Sequence, residues 1–72
     1  MSTHHETEVE MARRHVREAE TRIARQVSMV AELDRDDHPE AATLGRKVLE
    51  TMRSTLNLMK RHLRAIEERS KS

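Results

Sequence analysis

"DRDDHPE", residues 34–40, gathers four acids and a histidine around the only proline of a 72-residue chain. Its reading decides the fold, because proline suits the first turn of a helix and pushes the residue before it out of helical geometry. Pro39 therefore starts a second helix, and His38 belongs to a turn. On both sides of this corner the apolar residues recur in alternating steps of three and four.

Before the corner the stripe runs Val9, Ala12, Val16, Ala19, Ile23, Gln26, Val30, Leu33, with Gln26 its only polar member. After it come Ala42, Gly45, Leu49, Met52, Leu56, Met59, Leu63 and Ile66. Such spacing is a coiled-coil seam. It predicts one helix from about residue 6 to 34, a turn at 35–38 and a second helix from 39 to about 68, with 1–5 and 69–72 frayed. A connection this short makes the helices antiparallel neighbours. The expected fold is all-α, a coiled-coil-like two-helix hairpin in a single domain spanning 1–72.

Antiparallel pairing sets Val9 against Ile66, Val16 against Met59, Val30 against Gly45 and Leu33 against Ala42. Small faces large in half of the layers, as an interdigitating core requires. Gly45, which costs about 1 kcal/mol inside a helix, is explained by close approach under Val30.

A second row on the later helix, Ala41, Leu44, Val48, Thr51, Thr55, Leu58, His62 and Ala65, has no partner in a lone hairpin. Met29 joins it from the first helix. A thin seam leaves this row in water, so burial in a partner is expected. The hairpin is expected to dimerise into a four-helix bundle, with Met29, Leu44, Val48 and Leu58 forming the face for self-association or for an unidentified protein partner.

Composition excludes several classes of function. Without Cys there are no disulfides or thiolate sites, and without Phe, Tyr or Trp there is no stacking platform for single-stranded nucleic acid. No apolar run can span a bilayer. The N-terminus "MSTHHETEVE" has no hydrophobic export region, so a cytoplasmic location without a membrane role is expected. Ser28 and Ser54 have no His and acid arranged around them, and there is neither a glycine-rich phosphate loop nor a concave pocket. No enzyme activity and no cofactor are expected.

Three groups of residues have metal-ligand chemistry. Asp34, Asp36, His38 and Glu40 alternate as in a calcium loop, but Pro39 stands where that loop needs glycine and Gly45 where it needs a bidentate Glu. The acids instead suit the positive end of the second helix. His15 and His62 flank the same side of the hairpin, near Met11 and Glu18, and could converge on a late transition metal. Two imidazoles are too few for closed zinc. Loss of Met1 would leave "STH", whose amine, amides and His4 imidazole form a tetragonal copper(II) or nickel(II) set. None of these is favoured over solvated or packed histidines.

Charge is uneven: residues 1–31 balance, 32–40 carry a net −4, and 41–72 a net +5. Arg53, Lys60, Arg61 and Arg64 on the second helix could contact phosphates. Glu6, Glu8 and Glu10 are expected opposite the Lys60 to Arg64 cluster, so a solvated, self-neutralised face is favoured and nucleic acid is the alternative.

"IARQVSMVAELDRDDH" at residues 23–38, followed by "A..L" from Ala41 to Leu44, resembles a group of short, uncharacterised helical-hairpin proteins of rhizobia and related alphaproteobacteria. There, similar "IARQ" and "VAEL.RD.H" strings precede a leucine-rich second helix, and the resemblance covers roughly residues 20–66. It implies a hairpin in the bacterial cytoplasm and brings no catalytic residues. Glycine often occupies the place of Asp37 in that group, consistent with a left-handed residue ending the first helix.

Overall fold

The computed structural model describes residues 5–71 and contains two helices, α1 (Glu8–Arg35) and α2 (Pro39–Lys71), folded into an antiparallel hairpin. No strand occurs among the described residues. Helix α1 starts at Glu8, later than residue 6, because Thr7 caps it. The Thr7 hydroxyl accepts the Glu10 N–H at 3.1 Å, and the Glu10 carboxylate accepts the Thr7 N–H at 2.9 Å. This reciprocal pair satisfies donors that the first turn leaves open. Glu8 and Glu10 also place negative charge at the positive end of the helix.

The corner is a helix stop followed at once by a helix start. Asp37 takes φ 58°, in the left-handed region. That turn lets the His38 N–H reach the Leu33 carbonyl at 2.9 Å and the Asp37 N–H reach Asp34 at 3.3 Å. The two bonds form a Schellman motif. The His38 carbonyl then accepts the Ala42 N–H at 2.9 Å, the first bond of α2.

A left-handed conformation costs an ordinary L-residue roughly 1 kcal/mol, and glycine almost nothing. Asp37→Gly should therefore raise the free energy of unfolding by about 1 kcal/mol, read as a higher urea midpoint at unchanged slope. An unchanged midpoint would mean that Asp37 carries no strain.

Helix α2 continues to Lys71, beyond the fraying expected from residue 69. Arg69 reaches Glu8 at 2.8 Å and the Ser70 hydroxyl donates to the Ile66 carbonyl at 3.1 Å, contacts that tie down the last turn.

Every residue of both stripes is buried or half-buried. The most enclosed apolar side chains are Val16, Val30, Ala42, Leu49 and Ile66. Gly45 sits where a Cβ would lie only 2.9 Å from Val30 Cγ2, so the close approach expected there exists. It also opens the Gly45 carbonyl to the buried Gln26 side chain, whose Nε2 donates to it at 2.9 Å. The one polar residue of the seam is thus satisfied across the interface, a contact that fixes the register.

The hairpin is extended. Its radius of gyration is 16.6 Å, against about 11 Å for a compact domain of this length. Its surface of 5838 Å² exceeds by about 1,200 Å² the roughly 4,600 Å² of a compact protein of the same mass. Among the described residues no helix is long and apolar enough to cross a membrane.

Candidate functional site

The two flanks of the seam carry different chemistry. On one flank, ion pairs recur along the hairpin: Arg13 with Glu67 at 3.0 Å, Glu20 with Lys60 at 3.6 Å, and Asp34 with Arg46 at 3.1 Å. The rung between the last two is Val27 opposite Arg53. All of these charged side chains are substantially exposed, so each pair contributes at most about 1 kcal/mol. Their value lies in orientation, since a parallel or slipped arrangement would break the matched signs. The sequence carried this signal in the residues that border the stripes, but only once the register had been laid down.

The basic candidates sit on or next to this flank. Lys60 meets Glu20, whereas Glu6 pairs with Arg14 at 2.9 Å and Glu8 with Arg69. The expected placement of Glu6 and Glu8 opposite the Lys60 to Arg64 cluster is corrected accordingly, because Glu6 is engaged by Arg14 of the same chain segment and Glu8 by Arg69 across the hairpin. Arg53, Arg61 and Arg64 are exposed and make no ion pair among the described residues. Arg14 is bracketed by Glu6 and Glu18; the hydrogen bonds it donates to Glu6, followed by the Glu6 charge, raise the guanidinium pKa above its ordinary value. Glu18 is thereby held by Arg14 at 3.3 Å.

The opposite flank holds the apolar candidates. Leu44 is 64% exposed, Leu58 61%, Met29 46% and Val48 45%, whereas the seam residues one position away are enclosed. By register Met29 stands on the rung of Val48, equivalent to that of Glu8 and Arg69. All eight members of the second row of α2, from Ala41 to Ala65, are exposed. The row contains no acid, lysine or arginine over roughly 36 Å of helix. Helix α1 offers no matching row, since Glu18, Arg22, Arg25 and Glu32 interrupt the same side.

At the open end of this flank, Glu8, Met11, Ala12, His15, Met59, His62 and Ile66 line a shallow groove of about 270 Å³. His15 and His62, placed on one side by the sequence, thus share one depression, and Met59 joins Met11 beside them. His4 lies outside the described residues. At the corner, Asp34 is engaged by Arg46, and no cluster of three or more His, Cys, Asp or Glu suited to a metal occurs among the described residues.

No protein-family model, curated protein or solved structure matches the chain.

Proposed function

We propose that this chain is a self-associating helical module that acts in the cytoplasm through protein contact, as an adaptor, regulator or scaffold, and not by catalysis. One observation carries the reading: α2 presents two adjacent apolar rows, and the hairpin covers only one of them. A helix with an apolar arc this wide belongs between two neighbours. The excess surface of about 1,200 Å² is on the scale of the roughly 800 Å² that each partner buries in a standard interface.

A second copy suits the row better than an arbitrary partner because the row nearly repeats itself when reversed. An antiparallel α2 from another chain sets Ala41 against Ala65, Val48 against Leu58 and Thr51 against Thr55, which is the self-complementarity of a two-fold interface. The Thr51 hydroxyl already donates to the Lys47 carbonyl at 3.3 Å, so burying it leaves no orphaned donor. The result is a four-helix assembly with paired α2 helices at its centre.

The absence of cysteine allows a clean test with a single Ser54→Cys label, beside the row near the middle of α2. Mixed donor- and acceptor-labelled chains should show energy transfer that an excess of unlabelled chain abolishes. Absence of transfer at micromolar concentration would count against self-association.

The unpaired Arg53, Arg61 and Arg64 support a second reading, phosphate contact with nucleic acid, with Lys60 beside them. It requires retention of DNA or RNA at low salt that weakens as salt rises; no binding at low salt removes it.

A further inference from the structure

The groove at the open end collects two thioethers and two imidazoles, Met11, Met59, His15 and His62. Met11 and His15 are one turn apart on α1, and Met59 and His62 three residues apart on α2, so each pair shares a helix face. The rung of His15 and His62 lies one heptad from that of Glu8 and Arg69, whose side chains meet at 2.8 Å. His15 and His62 line the same groove from the two helices. Ala12 keeps the floor open, and Ile66 makes one wall apolar.

Packing alone does not account for the set. Met59 belongs to the seam, but Met11 lies outside it and is 40% exposed, and both imidazoles are exposed at the rim. Thioethers are soft ligands and imidazole is borderline, a combination that favours copper(I) over calcium, magnesium or zinc. The only acid in the groove, Glu8, is engaged by Arg69.

We infer that this groove is a copper(I) site, with Met11, His15, Met59 and His62 as its ligands. All four come from one chain.

The test is anaerobic competition for copper(I) against a chromophoric chelator, using the full chain with His4→Ala and His5→Ala to remove the N-terminal imidazoles. One copper(I) per chain should bind. Met11→Leu with Met59→Leu keeps the apolar volume and should weaken binding by more than about tenfold, since even outer-shell changes have effects of that size. His15→Gln with His62→Gln, both exposed, should do the same at unchanged helical circular dichroism. Glu50→Gln, exposed and outside the groove, the seam and the uncharged row, should leave the affinity unchanged. Loss of copper on the His4 and His5 changes alone, or full affinity in the methionine pair, would overturn the assignment.

Discussion

Gly45→Val should unfold a large part of the population. A Cβ at this position meets Val30 Cγ2 at 2.9 Å, and a valine side chain cannot swing away because its own χ1 is restricted in a helix. Overpacking of this kind costs about 1–3 kcal/mol, and forcing the helices apart also breaks the bond from Gln26 to the Gly45 carbonyl, about 1 kcal/mol more. A single thin core supplies only a few kcal/mol in all. Gly45→Ala is the sharper variant, because helix propensity alone would make it stabilising by about 1 kcal/mol. Here the clash should win and the melting temperature should fall, while Val30→Ala in the same chain should restore most of the loss. Such coupling is expected only between residues in contact. A rise in melting temperature for Gly45→Ala alone would show that the helices are not closely packed at this layer.

Leu58→Glu should have the largest effect on assembly with little effect on the hairpin. Leu58 is 61% exposed within one chain, so a glutamate there stays solvated and helix content should hold. In the paired α2 helices the same carboxylate faces Val48 of the other copy with no cation in the row. Burying an unpaired charge costs about 3 kcal/mol or more, so the dissociation constant should rise by more than about a hundredfold. Asn57→Glu, exposed and outside both rows of α2, is the control and should change nothing. Equal dissociation constants for Leu58→Glu and the parent would place the interface elsewhere.

Most of the fold was legible because two local signals agree. The alternating apolar stripes specify helices with one buried edge, and Pro39 leaves a connection too short for anything but an antiparallel return. The enclosed Val30, Gly45 and Ala42 lie where that register puts them. The boundaries were less legible. "TEVE" at residues 7–10 carries the capping box, but the acidic run around it blurred the first turn and put the start at residue 6. The end of α2 depends on Arg69 finding Glu8 across the hairpin, a long-range contact that local propensity cannot show.

Asp37 was legible as a problem rather than an answer. A left-handed aspartate is sterically disfavoured, and it is tolerated because the bonds from His38 to Leu33 and from Asp37 to Asp34 close the turn around it. The site followed the same pattern. The uncharged row on α2 and the shared side of His15 and His62 could be read from spacing. That Met59 completes a four-donor groove depends on how the seam and its flank meet in three dimensions.

Sedimentation equilibrium of the parent chain beside Leu58→Glu, at tens of micromolar, tests the proposed self-association most directly. The parent should sediment with the mass of two 8.4 kDa chains and the variant with that of one. A single-chain mass for the parent across the concentration range would contradict pairing through α2.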